Sequence, residues 1–196
     1  MSVPHRVVIV QGHPDGAHPH FGHALADAYA KGAAEAGHHV ERIDVSKVDF
    51  PILRQRADWE NPPPPAIRDV QEIIRRADHI VIFYPIWLGS MPALLKGFLE
   101  QVMRPGFAIG QNSDPSRWSR HLAGRSARVV VTMGMPALLY RWFFRAHSLR
   151  SLERNILKFA GIRPVHDTLI GMTERSEPRR LGRWLQRMED LGRRAV

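Results

Sequence analysis

Four histidines crowd one short stretch: His13, His18, His20 and His23, in a segment that opens with Gly12-His13-Pro14-Asp15-Gly16 and runs into an alanine-rich sequence. If that sequence is a helix, the histidines stand at its N-terminus, where unpaired backbone N–H groups and the helix dipole favour an anion. Imidazoles that donate hydrogen bonds or carry part of a charge add to such a site, so a phosphate is the chemistry this stretch suits. A metal is the competing reading. The irregular spacing, the lack of any cysteine and a single nearby carboxylate, Asp15, weigh against it. Some of these histidines are expected only to cap the helix or face water.

A second set of residues suits a flat ring. Trp87 and Leu88 follow the strand-like run 78–84 and precede a helix, so their amides can reach a ring edge while their side chains stack on it or wall it. Thr132, Met133, Gly134 and Met135 end another apolar run and offer more backbone amides at a small residue. Tyr140 and His147 follow, and either can hydrogen-bond a ring oxygen. There is no G-x-S-x-G elbow, Walker sequence, G-x-G-x-x-G fingerprint or paired metal-ligand set. Aromatic walls, amides and a phosphate anchor without a nucleophile imply that a cofactor carries the chemistry.

The elements that must position these residues follow from periodicity. Continuous apolar runs at 6–11, 40–45, 78–84, 127–133 and 165–172 read as strands covered on both faces. Helical patterns fill 21–36, 67–77, 91–103, 151–159 and the last segment from Pro178, with Gly37 and Gly161 as stops and Ser176 as the last N-cap. Residues 46–66, with Trp59 and Pro62-Pro63-Pro64-Pro65, read as irregular. A second long loop carries Gly106, Gly110, Pro115 and Trp118. Strands alternating with crossover helices give an α/β domain, a parallel sheet with helices on both faces, over residues 1–196 as one unit. In such a sheet, ligands bind beyond the carboxyl ends of the strands, where strand order reverses.

Composition narrows the class. Hydrophobic residues at 44%, charged residues at 24% and zero cysteines describe a globular protein without disulfides or thiolate chemistry. Residues 1–6 lack the apolar core of a secretory signal, so a cytoplasmic setting is expected. No apolar run approaches the roughly 18 to 20 residues of a membrane helix, which excludes a span and leaves peripheral association open. The net charge of +9 collects partly on the final helix. There Leu181, Trp184, Leu185, Met188 and Leu191 form one apolar face against a basic one, a surface helix rather than a nucleic-acid reader.

Three stretches together resemble a known family. Val8-Ile9-Val10 with Gly12-His13-Pro14, then Tyr84-Pro85-Ile86-Trp87-Leu88-Gly89-Ser90-Met91-Pro92-Ala93-Leu94-Leu95-Lys96-Gly97-Phe98, then Pro105-Gly106-Phe107-Ala108, are similar to the NAD(P)H:quinone oxidoreductases of the DT-diaphorase and modulator of drug activity B type. The resemblance implies a flavodoxin-like fold with strand order 2-1-3-4-5. It also implies non-covalent FMN or FAD, NAD(P)H as co-substrate, a quinone-like acceptor, and a homodimer with residues 138–144 as a contact. Carried over by position, His13 and the turn His18, His20, Phe21, Gly22 hold the flavin phosphate. Pro85, Ile86, Trp87 and Leu88 contact the isoalloxazine ring, and Thr132, Met133, Gly134 and Met135 its pyrimidine side. Tyr140 stands at the spacing of the family's active-site tyrosine. His147 lies one residue beyond the position of its partner histidine. The family's usual Ser-Phe-Asn phosphate turn is His20-Phe21-Gly22 in this chain, which removes a hydroxyl and an amide. Two alternatives are a flavin-binding, redox-sensing regulatory subunit of a potassium-efflux transporter, and a histidine-rich metal-binding protein.

Overall fold

A computed structural model describes residues 3–110 and 119–196; the expected loop residues Pro115 and Trp118 lie outside them. Seven strands and eight α-helices are described. They are β1 (Arg6–Gln11), α1 (Phe21–Glu35), β2 (His39–Asp44), α2 (Arg56–Glu60), α3 (Pro65–Arg76), β3 (His79–Pro85) and α4 (Ala93–Val102). After these come the two-residue strands β4 (Ile109–Gly110) and β5 (Ser119–Arg120), then β6 (Ser126–Thr132), α5 (Ala137–Trp142), α6 (His147–Ser151), α7 (Lys158–Ala160), β7 (Val165–Ile170) and α8 (Pro178–Arg194). A π-helical segment, Leu152–Leu157, joins α6 to α7.

The main sheet is parallel throughout, in the order β2-β1-β3-β6-β7. This is the expected flavodoxin-like order, its fourth and fifth strands being β6 and β7. Alternate residues of each central strand enter opposite layers, as a strand's period of two requires. Val7 and Ile9 pack with Leu25, Tyr29, Met188 and Leu191 under α1 and α8. Val8 and Val10 pack with Ile67, Ile74, Leu95 and Phe98 under α3 and α4. Helices α1 and α8 meet at two glycines. A Cβ at Gly192 would lie 2.1 Å from the Tyr29 carbonyl, and one at Gly32 2.0 Å from the Glu189 carbonyl.

Three details differ from the sequence expectations. Within residues 46–66, Asp58 accepts hydrogen bonds from the Arg54 and Gln55 amides at 2.9 and 3.2 Å, and Arg56 pairs with Glu60 at 2.6 Å. These local bonds nucleate the single turn of α2. Pro65 opens α3 at a position where a missing N–H costs nothing, and buried Arg104 fastens the segment by donating to the Asn61 carbonyl at 2.6 Å. The aromatic-rich residues after β6 form α5, and the helix expected from Ser151 starts at His147. Ser176 does not cap the last helix; its hydroxyl donates to the Met172 carbonyl at 2.6 Å, and Glu177 takes the capping position.

His79, at the entry of β3, is 1% exposed, and its Nδ1 lies 2.7 Å from Ser126 Oγ. Burial, followed by the nearby Arg128 charge, pushes its pKa down to about 3. The folded state therefore resists a proton that the unfolded chain accepts below about 6.5. Stability is full above that pH and falls as pH drops toward 3. Between pH 7.5 and 5.0, urea unfolding should show wild type losing about 2 kcal/mol more than His79→Gln. Equal losses would show that His79 stays solvated or protonated in the fold.

Candidate active site

Register brings three loops to one edge. Gln11 lies opposite Phe83, and Pro85 opposite Thr132, so β3 and β6 end together and β1 ends two residues earlier. Two bonds continue the ladder past the strand ends, from Gly12 N to the Phe83 carbonyl at 2.7 Å and from Ile86 N to the Thr132 carbonyl at 2.8 Å. Strand order reverses between β1 and β3, and there a cleft of about 520 Å³ opens. Its walls bring together His13, His20, Phe21, Gly22, Pro85, Ile86, Trp87, Thr132, Met133 and Gly134 of the expected residues, with Asp15, Thr173 and Glu174 besides.

The first loop is built around Asp15. Its Oδ1 accepts from the Ala17 and His18 amides at 2.9 and 3.1 Å, and its Oδ2 lies 2.9 Å from both His18 Nδ1 and His20 Nε2. His20 first, then His18 and these amides, hold the Asp15 carboxyl well below the usual carboxylate range. The carboxylate thus aligns two imidazoles. His20 stacks on His13, with ring centroids 3.9 Å apart, and His13 meets Trp87 edge-on at 5.9 Å. Burial, then the His20 and His23 charges, lowers the His13 pKa. His13 Nδ1 accepts from the Asp15 amide at 3.1 Å, so the neutral ring carries its proton on Nε2. Gln11 ties the loop to α1, accepting from His13 N at 3.2 Å and donating to the Gly22 carbonyl at 3.1 Å. His18 itself points to solvent, with 75% of its side chain exposed, and stays outside the cleft. Among the described residues, no group of three or more His, Cys, Asp and Glu side chains is placed to hold a metal ion.

The second loop is a tight turn in which Leu88 and Gly89 take φ of +48° and +79°, the two positive angles of a type I′ turn. Trp87 N donates to the Ser90 carbonyl at 2.8 Å, and Ser90 N returns a bond at 3.0 Å. These bonds correct one expectation: the Trp87 amide is spent inside the turn, so Trp87 meets the cleft with its half-exposed ring. Leu88 stands fully out in solvent rather than on the wall, and its N–H is unpaired among the described residues. At the third loop Met133 N is spent on the Ile170 carbonyl at 2.9 Å, whereas Gly134 N is unpaired among the described residues. Met135 packs against the core and accepts from Met172 N at 3.1 Å instead of lining the cleft.

Tyr140 and His147 are not brought to the cleft. Tyr140 is 1% exposed, and its hydroxyl accepts from Leu149 N at 3.3 Å. Burial raises its pKa, the wrong direction for an acid working near neutral pH. Its position makes it a brace. Ser148, next to Leu149, accepts from Met91 N at 3.1 Å and lies 3.2 Å from Ser90 Oγ, so α5, α6 and the Trp87 turn are held as one piece. His147 opens α6 and is exposed. Thr173 and Glu174 escaped the sequence reading, although the rule that ligands bind beyond strand carboxyl ends applies equally to the loop after β7.

A family model described as flavodoxin-like fold (Flavodoxin_2) matches residues 5–191. The chain belongs to that family. Membership bears out the resemblance carried by residues 85–98 and the flavodoxin-like fold it implied. The chain is 31% identical over 156 residues to a ribosyldihydronicotinamide dehydrogenase-like protein of Penicillium crustosum, covering 66% of this chain and 57% of that protein's length. It is 27% identical over 169 residues to an uncharacterized NAD(P)H oxidoreductase of Haemophilus influenzae, covering 84% and 82%. A glutathione-regulated potassium-efflux system ancillary protein, KefG of an Enterobacter species, is 39% identical over 71 residues, 36% of each chain. Among solved flavodoxin-like structures, an NAD(P)H:quinone oxidoreductase from Methanothermobacter marburgensis superposes with a TM-score of 0.81 at 23% identity, covering 99% and 100%. An FMN-dependent NADH-azoreductase from Bacillus anthracis, solved with FMN, gives 0.77 at 15% identity, covering 97% and 98%.

Because Tyr140 acts as a brace in this flavodoxin-like chain, Tyr140→Phe is expected to cost about 1 kcal/mol of stability. Any oxidoreductase turnover measured in the same preparation should stay within about twofold of wild type. A hundredfold loss of turnover with unchanged stability would return the tyrosine to catalysis.

Proposed function

We propose that the chain is an NAD(P)H-dependent flavin oxidoreductase, acting on a quinone or similar acceptor. The observation that carries this reading is the division of the cleft. One end offers the N-terminus of α1 with the Phe21 and Gly22 amides unpaired among the described residues, beside His13 and His20. The other offers a flat apolar wall of Pro85, Ile86 and Trp87 with the unpaired Gly134 amide. Gly22 has open space around it, with nothing within 4 Å of where a Cβ would stand. A phosphate-bearing planar group such as FMN or FAD fits that set, and the size lies within the usual range for small-molecule sites. The names of the Haemophilus relative and of the Methanothermobacter structure supply the co-substrate and acceptor class.

When bound, the flavin would supply the hydride chemistry. The chain's own part is orientation and electrostatics. The imidazoles and helix N-terminus would fix the phosphate end. Trp87 and Ile86 would hold the ring flat and exclude water from one face, leaving the other open for stacked partners, so proximity is the main gain. The Gly134 N–H is available to a ring oxygen that gains charge. Leu138, Leu139, Trp142, Phe143 and Phe144 lie exposed beside this edge, from 43% to 76%. That patch supports a homodimer contact, and sedimentation equilibrium should give twice the 22.3 kDa chain mass; a single-chain mass would remove the contact.

The KefG match supports a second reading, a flavin-bound regulatory subunit that senses redox state without turnover. Protein loaded with FMN separates the two. The enzyme reading expects rapid bleaching of the yellow chromophore by NADPH or NADH and its return on adding a quinone, through many cycles. Binding of FMN with bleaching far slower than any cellular need would favour the regulatory reading, and no uptake of either FMN or FAD would overturn both.

A further inference from the structure

The turn after β7 places a carboxylate in the cleft that has no ion-pair partner among the described residues. Glu174 sits in the 3-10 turn Thr173–Arg175, and among the described residues it has neither an ion pair nor a side-chain hydrogen bond. Its Oε1 lies 3.5 Å from where a Cβ on Gly134 would stand, so it overhangs the glycine at the ring end of the cleft. The turn is fastened from several sides. Thr173 donates to the Met133 carbonyl through both N, at 3.2 Å, and Oγ1, at 3.3 Å. Met172 N donates to the Met135 carbonyl at 3.1 Å, and the Ser176 hydroxyl returns to the Met172 carbonyl at 2.6 Å. Met172 takes φ of +61°, an angle an L side chain adopts at a cost that surrounding bonds must offset. Arg180, the α8 arginine that reaches back toward this turn, donates to the Gly171 carbonyl at 3.2 Å and makes no ion pair with Glu174.

The two acidic residues of the cleft differ in this respect. Asp15 is hydrogen-bonded to the His18 and His20 rings; Glu174 is an exposed carboxylate over Gly134 with no such partner among the described residues. We infer that Glu174 is a positioning residue that sets the redox potential of the ring bound in this cleft. The inference rests on the flavin reading. A hydride brings one proton and two electrons, so its arrival from the nicotinamide adds one negative charge to a neutral ring. A carboxylate beside that ring disfavours the added charge and makes the reduced state a stronger hydride donor to the acceptor. The effect is electrostatic and needs no contact with the reacting atoms.

Glu174→Gln keeps the shape and removes the charge, and Glu174→Asp keeps the charge. Each protein loaded with FMN is titrated for binding and equilibrated with reference dyes for its midpoint potential. Glu174→Gln should bind FMN within about threefold of wild type while its reduced-to-oxidised ratio at fixed poise rises about tenfold, roughly 30 mV for a two-electron couple. Glu174→Asp should stay close to wild type. Equal potentials for wild type and Glu174→Gln, with FMN bound in both, overturn the role of Glu174 while leaving the flavin reading intact. The same shift in both variants overturns it in favour of shape. Wild type that takes up no FMN overturns the flavin reading itself.

Discussion

The site depends on the register of three adjacent strands. Because Gln11, Phe83 and Val130 come abreast and Pro85 pairs with Thr132 two residues further on, and because the bonds from Gly12 N and Ile86 N carry each ladder one residue further, three loops from distant parts of the chain leave the sheet at fixed relative positions. A slip of two residues in any pairing would keep each side chain on its own face and still pull one loop out of the cleft. The buried runs of β1, β3 and β6, apolar toward both layers, make that slip costly, since each position has its own neighbours above and below the sheet.

On this frame, local bonds decide which groups are free for a ligand. The type I′ turn consumes the Trp87 amide and turns its ring toward the cleft; the sheet consumes the Met133 amide and leaves that of Gly134. At the opposite end, Asp15 aligns two imidazoles through its carboxylate. The cleft is thereby graded: helix N-terminus and imidazoles at one end, flat apolar wall in the middle, and the unpaired carboxylate of Glu174 at the other. An elongated ligand with an anionic head and a flat ring matches the first two parts of that gradient, and the carboxylate opposes negative charge on the ring.

The strands and the loops that matter were legible from the sequence because they rest on continuous apolar runs and on glycine and proline punctuation, which are local signals; the strand order followed only from the family resemblance. The stops at Gly37 and Gly161 follow for the same reason, both taking positive φ. Side-chain direction was not legible. Tyr140 stands two residues before exposed Trp142 and four before Phe144 on an aromatic-rich segment, and spacing alone does not say which ring turns inward; packing against Leu149 decides it. Thr173 and Glu174 were missed because their turn contains no glycine and no aromatic, and its place is fixed by non-local bonds to Met133 and Met135. Likewise, that the His18 ring would pair with Asp15 in solvent while His20 entered the cleft depends on the loop's three-dimensional path.

The central claim is that the histidine-bearing first loop holds the phosphate of a planar cofactor whose ring lies on Trp87. The direct measurement is a fluorescence titration of the apo chain with FMN and with riboflavin, which share the ring and differ in the phosphate. FMN should bind at least a hundredfold more tightly, a preference worth about 2.7 kcal/mol, and His20→Ala should remove most of that preference while leaving riboflavin affinity unchanged. Equal affinities for FMN and riboflavin in the wild-type chain would contradict the claim.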